Sequence, residues 1–287
     1  MAEHNSTNNN LDYEAPDGSR DEKYLDYLAT DYWLRHAARV IETTYGDTID
    51  FYAKGKDLLK FGRNKLVNTT KSTLMTLPTG TDNEVLLSSN LITQISSSSG
   101  SDTGEVKIEG HTSSDGLTFT FVVQTVTLTG QTAATLSTPL CRVSRVVNNG
   151  STDLVGNIYV TETDTLMAGV PDTDSKVHII VNAGLNNSEK AATTVSSADY
   201  YIITGFYADC LEKTSAYGII HLEVREPGKT FINKIDIESS TSDSGDHRFQ
   251  PYLIVPKNSD VRIRISASAA GKDFSGGFEG VLASVVV

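Results

Sequence analysis

The chain has 287 residues, an apolar fraction of 38% and a net charge of −12, so it is long enough for one large folded domain or two smaller ones. The acidic balance disfavours a nucleic-acid partner, because phosphates require a positive surface. No apolar run is long enough to span a membrane, and residues 1–10 have no apolar segment typical of a secretory signal, so we expect no membrane partner.

The first 50 residues differ in composition from the rest of the chain. Residues 1–20 are polar, rich in asparagine and without apolar periodicity, which predicts an arm that has no core of its own. Residues 21–45 place acids in their first turn, repeat apolar residues at helical spacing and are followed by Gly46, which predicts one helix. Its aromatic side chains lie on more than one side, so the helix either packs deep in its own fold or contacts another chain.

A basic segment over residues 51–75 follows the predicted helix. Asp57 is the single acid between Lys54 and Lys71, although the whole chain is strongly acidic. One interpretation is a solvated linker, and the other is a docking segment for an acidic neighbour, positioned by charge complementarity. The docking interpretation predicts an interface formed by this segment and the aromatic helix: Tyr24, Tyr27, Tyr32, Trp33, Lys54, Lys56, Lys60, Arg63 and Lys65.

Residues 76–287 have the pattern of a mainly β protein. Short alternating runs are separated by Gly, Asn, Asp, Ser and Pro, and "KIEGHTSSDGLTFTF" over residues 107–121 is typical of a hairpin. No second helical pattern separates the runs, which argues against parallel βαβ units. We therefore predict an antiparallel β-sandwich of the jelly-roll kind, folded as one sandwich or two, with an N-terminal arm and one helix.

One run, "GLTFTFVVQTVTLTG" over residues 116–130, changes the phase of its alternation. Leu117, Phe119, Phe121 and Val123 hold odd positions, and apolar residues then move to even positions from Val126 onward. We interpret the shift as a β-bulge within one long strand that bends across the sandwich. The alternative is two short strands joined by a tight turn.

The residues that could carry catalysis or bind metal are sparse. Ser244, Asp246 and His247 lie together in "SDSGDHRF", but no G-x-S-x-G segment accompanies them, and a polar loop explains them well. The histidines are too widely spaced to form a recognisable metal motif. We therefore expect no enzyme activity, no cofactor and no metal. The two cysteines, Cys141 and Cys210, are predicted to be buried free thiols.

Several segments resemble a family of viral proteins. The segments "ADYYIITGFYADCLEKTSAYGIIHLEVREPG", "PYLIVPKNSDVRIRISASA" and "GGFEGVLA" resemble uncharacterised virion structural proteins of tailed, especially marine, bacteriophages. "GLTFTFVVQTVTLTG" to "LVGNIYVTE" is similar to the middle of such proteins, so the resemblance covers roughly residues 70–287. The resemblance implies a place in the virus particle and carries over no functional residue.

These observations predict a capsid decoration or cement subunit that binds and stabilises the head shell. Its expected partners are the major capsid protein or other virion proteins, together with further copies of itself as a homo-oligomer. It would be made in the cytoplasm of the bacterial host and located in the virion. The alternatives are a tail, collar or fibre-type adaptor, a host-glycan-binding module, and a glycan-active enzyme or lectin on a jelly roll.

Overall fold

A computed structural model describes residues 56–78, 84–213 and 215–284. For Ser284 it describes the backbone only. It contains one short 3-10 helix, Asp174–Lys176, and no α-helix among these residues. The predicted arm and helix over residues 1–50 lie outside the described part. The strands are β1 (Lys56–Val67), β2 (Ser72–Thr73), β3 (Ile92–Ser97), β4 (Glu105–Thr112), β5 (Thr120–Thr127), β6 (Ala134–Leu140), β7 (Arg142–Asn148), β8 (Ile158–Glu162), β9 (Leu166–Met167), β10 (Val170–Pro171), β11 (Val177–Val181), β12 (Ala192–Thr194), β13 (Asp199–Cys210), β14 (Tyr217–Arg225), β15 (Ile232–Ser240), β16 (Gly245–Val255), β17 (Asp260–Ala267) and β18 (Lys272–Ser284).

Nine of the strands form a jelly roll. One sheet has the order β1-β18-β13-β16, and the other has the order β12-β17-β14-β15, with β2 also paired to β17. From β12 to β18 the chain passes from one sheet to the other at every connection except the β14–β15 hairpin. Two facing antiparallel sheets connected in this way define a jelly roll, so the predicted fold class is confirmed.

Strict alternation builds the core of the jelly roll. In β17, Val261, Ile263 and Ile265 are buried, while Arg262 and Arg264 on the opposite face are partly exposed. Successive side chains of a strand point to opposite faces, so this pattern packs one apolar row against the facing sheet. The core is closed by aromatic side chains from the other sheet: Tyr201, Phe206, Phe274 and Phe278.

A second sandwich is inserted into the jelly roll between β2 and β12. Its sheets have the orders β11-β8-β3-β6 and β5-β4-β7, and they enclose a separate apolar core. The chain leaves the jelly roll after Leu74 and returns at Ala191, whose N–H donates to the carbonyl of Leu74 at 2.9 Å. Thr76 donates in turn to the carbonyl of Glu189 at 3.3 Å. The insertion therefore begins and ends at one point beside the edge of a sheet.

Strand β5 corrects the interpretation of the phase shift. Its register with β4 is unbroken from Thr120 to Thr127, so there is no bulge and no second strand in this segment. Phe121 and Val123 are 48% and 51% exposed, whereas Gln124 is buried on the core face. Of the apolar residues at odd positions, Leu117, Phe121 and Val123 are therefore exposed and Phe119 is buried, a difference that alternation alone cannot predict.

The two cysteines are free, as predicted. Cys141 is buried and its thiol donates to the carbonyl of His111 at 3.2 Å, while Cys210 is half-buried.

Candidate interaction site

Strand β1 contains the described part of the predicted interface, and it lies at the edge of its sheet. Residues 56–67 were expected to belong to a connecting segment, but they form the first strand of the jelly roll because every second residue faces inward. Lys60, Gly62 and Asn64 are buried in this inward row. The residues between them form an outward row, which we call the β1 outer row: Asp57, Leu59, Phe61, Arg63 and Lys65.

Among the predicted interface residues that the structure describes, Lys60 is buried, with 5% of its surface exposed. Its ammonium donates to the carbonyl of Ser144 in the inserted sandwich at 3.1 Å. Burial lowers the pKa of Lys60 to about 8, an effect that the nearby carboxylate of Glu109 opposes. Lys60 therefore links the two sandwiches and is not available to a partner.

Gly62 allows β1 to pack closely against the place where the insertion leaves the jelly roll. A Cβ atom at Gly62 would lie 2.0 Å from the carbonyl oxygen of Leu74 and 2.5 Å from the backbone nitrogen of Ala191. Asn64, next in the inward row, donates to the carbonyl of Thr73 at 3.0 Å. The inward row thus packs against the place where the insertion leaves the jelly roll.

The remaining predicted cations have different environments. Arg63 is paired with Asp273 by two hydrogen bonds of 3.0 and 2.7 Å, and this carboxylate raises the pKa of the guanidinium. Lys56 and Lys65 are exposed. The other predicted interface residues lie outside the described part of the chain, and their role stays a prediction: Tyr24, Tyr27, Tyr32, Trp33 and Lys54.

A buried ionic cluster fixes the inserted sandwich to the jelly roll. Asp260 of β17 accepts from Nε of Arg142 in the insertion at 3.2 Å and from Nε of Arg225 in β14 at 2.9 Å. The hydroxyl of Thr194 donates to the same carboxylate at 2.7 Å. Burial favours the neutral acid, but the two guanidinium groups outweigh it and hold the pKa of Asp260 below its usual range. Composition and spacing gave no signal for this cluster, because its members lie far apart in the sequence.

A second buried ion pair lies near the same junction. Lys190 pairs with Glu84, and its ammonium also donates to the carbonyl of Val143 at 2.6 Å. Both side chains of the pair are almost fully buried. A buried pair of this kind costs desolvation energy and favours one arrangement of its partners. This pair holds together segments of the insertion beside the junction, whereas Lys60 and Asp260 bond across the two sandwiches.

Large apolar side chains are exposed on several surfaces of the described residues. The β1 outer row presents Leu59 and Phe61, and the outer face of β5 presents Phe121 and Val123. Others lie on the β14–β15 hairpin and in the insertion: Tyr217, Ile219, Ile232, Val155, Met167 and Leu185. Groups of exposed apolar side chains on a folded protein indicate contact surfaces.

Two cavities accompany these surfaces. One, of about 150 Å³, lies at the junction and is lined by residues that include Phe119, Arg225 and Lys229. The other, of about 250 Å³, lies in the insertion and combines apolar and amide groups: Pro78, Asn157, Tyr159, Pro171 and Asn182. The second cavity has the mixed lining that suits a polar organic ligand.

One arrangement on the outer face of the jelly roll has the donor and acceptor order of a hydrolytic triad. The ring of His221 lies 2.6 Å from the carboxylate of Asp236 through Nδ1 and 3.1 Å from the hydroxyl of Ser266 through Nε2. Acyl transfer also requires N–H donors directed at the developing oxyanion. Ser266 lies inside strand β17, paired with Ile219 of β14, so its own N–H belongs to a sheet ladder. We interpret the three side chains as a hydrogen-bonded row on a sheet face.

Residues 56–78, 84–213 and 215–284 bring together no group of three His, Cys, Asp or Glu side chains that could hold a metal ion. In the same part of the chain, no helix has the length and apolar character needed to cross a membrane.

Comparison with solved structures gives weak matches to viral proteins. No family model and no curated protein matches the chain. A structure of the Gt strain of infectious bursal disease virus is 8% identical, covers 88% of this chain and 78% of that chain, and has a TM-score of 0.19. A subviral particle of VP2 from infectious bursal disease virus is 10% identical, with coverages of 81% and 72% and a TM-score of 0.16. Superpositions at this level do not establish a shared fold.

Proposed function

We propose that this chain is a non-enzymatic structural protein of a tailed-bacteriophage particle, and that it decorates the head shell and stabilises it. The observation that carries the proposal is that buried charged residues and exposed apolar residues have different roles in the fold. Buried charges at Lys60, Arg142 and Asp260 hold two sandwiches in one arrangement, while exposed apolar side chains lie on separate outer surfaces. A subunit of a lattice needs several contact surfaces in a fixed relation, because many weak contacts act together.

The fold and the sequence resemblance support the same proposal. Jelly rolls occur in viral capsid domains as well as in lectins and cupins, so the topology suits a capsid role without requiring it. Residues 70–287 resemble virion structural proteins of tailed phages, as noted from the sequence. The partner would be the major capsid protein or another virion protein, and the exposed Lys56 and Lys65 would favour an acidic surface on it.

Attachment to the shell is assigned to residues 1–46, which combine the polar arm with the aromatic helix predicted from the sequence. We expect their deletion to abolish incorporation into particles, because the remaining jelly roll would lack its main anchor. The measurement is quantitative mass spectrometry of purified particles produced with either chain, with soluble expression and an unchanged melting temperature as controls. Incorporation of the shortened chain at the normal level would contradict this assignment.

A host-glycan-binding module is the second candidate, and the cavity in the insertion favours it. Amide groups of Asn157 and Asn182 and the ring of Tyr159 line this cavity of about 250 Å³. Amides can hydrogen-bond sugar hydroxyls, and apolar walls can cover the sugar ring. Binding to a glycan array that is lost in Asn182→Ala, with a hydrolysis assay on host polysaccharide run in parallel, would support this candidate. No binding to any host glycan would eliminate it.

A further inference from the structure

The edge of β1 has features that attachment to a shell does not explain. β1 has 12 residues, whereas most strands have about 5–6, and among the described strands it lies at the end of its sheet. Its outer row exposes Leu59 by 61% and Phe61 by 40%. Natural edge strands are usually short, bulged or interrupted by proline, because an open edge is a template for another strand. β1 contains no proline and presents apolar side chains.

We propose that β1 pairs antiparallel with β1 of a second copy of this chain, centred on Phe61 of both copies. This pairing would join two four-stranded sheets into one continuous sheet across a two-fold axis. The contact is isologous, since the same surface is used by both copies. The partner at this surface is therefore a second copy of the chain.

The distribution of charge along the β1 outer row favours this occupant and this register. Asp57 and Lys65 lie equally far from Phe61 on either side, so antiparallel pairing places Asp57 of each copy opposite Lys65 of the other. Leu59 then faces Arg63, whose charge is already paired with Asp273 and whose aliphatic part can cover the leucine. Cross-strand pairs of opposite charge stabilise a sheet, and two such pairs form for each dimer.

Other pairings lose this complementarity. A parallel arrangement in register would place Asp57 against Asp57 and Lys65 against Lys65, and like charges directly opposite destabilise a sheet. A shift of the antiparallel register by two residues would pair Asp57 with Arg63, which already holds Asp273, and would leave Lys65 without a carboxylate. The centred register is the arrangement in which both exposed charges of the row are matched.

A charge exchange on the full chain tests the proposal. Sedimentation equilibrium should detect a concentration-dependent dimer, and Asp57→Lys or Lys65→Asp alone should raise its dissociation constant by about one order of magnitude, because each replaces two attractions by two repulsions. Combining both substitutions should restore the original constant. Lys234→Asp, a charge reversal at an exposed position of β15, is the matched control and should leave the dissociation constant unchanged. A monomer at every concentration, or a double variant no better than the singles, would overturn the proposal.

Disulfide trapping tests the register with milder substitutions. In a Cys210→Ser background, Phe61→Cys should crosslink to itself on oxidation, since paired Cα atoms lie about 4.5–5.5 Å apart and disulfides span about 4.4–6.8 Å. Leu59→Cys should not crosslink, because its counterpart is Arg63 of the other copy. Equal crosslinking of both variants, or of neither, would refute the centred register. A negative result in these dimer experiments would not contradict the proposed shell binding, because shell binding is assigned to residues 1–46 and is measured by particle incorporation.

Discussion

Replacing Lys60 by methionine measures the cost of holding an ammonium group between the two sandwiches. The folded protein lowers the pKa of Lys60 from its ordinary 10.5 to about 8, mainly by burial. The unfolded chain therefore binds one more proton than the folded chain between these two pH values, and the stability of the native protein rises with pH in this window. Below about pH 8 the residue is protonated in both states and contributes no slope.

The magnitude follows from the size of the shift. Each pH unit in the window is worth about 1.4 kcal/mol, so the free energy of unfolding of the native protein should rise by about 3 kcal/mol relative to Lys60→Met between pH 8 and 10.5. At pH 7 the variant avoids burying a charge but leaves the carbonyl of Ser144 without its donor, which costs about 1–3 kcal/mol. We therefore expect the two proteins to have similar stability at pH 7 and to diverge above pH 8.

The assay is urea unfolding of both proteins at a series of pH values. The contributions of all other titrating groups cancel when the free energies of unfolding of the two proteins are subtracted. Lys234→Met, which removes an exposed ammonium from β15, controls for the loss of one charge. Parallel stability profiles of the native protein and Lys60→Met from pH 8 to 10.5 would refute the reasoning. The same result would contradict the interpretation of Lys60 as a charged link between the two sandwiches.

Two further substitutions test the junction. Asp260→Asn should lower the free energy of unfolding by about 3–5 kcal/mol at neutral pH, because Arg142 and Arg225 lose their shared carboxylate. Acid unfolding should show that the native protein loses this extra stability as pH falls below about 4 and through the lowered pKa of Asp260. Gly62→Ala should lower the melting temperature, because its Cβ would lie 2.0 Å from a backbone oxygen and overpacking costs about 1–3 kcal/mol or more, whereas Gly100→Ala has open space around it and should have almost no effect.

Much of the jelly roll could be predicted from alternation of apolar and polar residues. β17 has this pattern because one face is in the core and the other is partly exposed. β14 also alternates apolar and polar residues, although its outward His221 and Glu223 are covered by polar partners. β1 was not predicted as a strand because its pattern is inverted: Lys60 and Asn64 face inward and Phe61 faces outward. Alternation identifies two faces but does not say which one is buried. β5 shows the same limit, since Phe121 and Val123 follow the rule for a core row and lie outside.

The inserted sandwich and the junction could not be predicted, for a different reason. The insertion begins at Leu74 and ends at Ala191, and neither position carries a compositional marker of a domain boundary. The ionic cluster joins Arg142 to Asp260 across 118 residues of sequence, so only the folded topology brings them together. Within the basic segment, the sequence could not separate the buried Lys60 from the exposed Lys65.

The number of copies of this chain in purified virus particles tests the central claim most directly. Absolute quantification by mass spectrometry, normalised to the major capsid protein, gives this number without any variant. A subunit that decorates the head shell should be present in hundreds of copies per particle. Absence of the chain from purified particles would contradict a virion role, and a small multiple of three or six would place it in the tail or collar instead of the head shell.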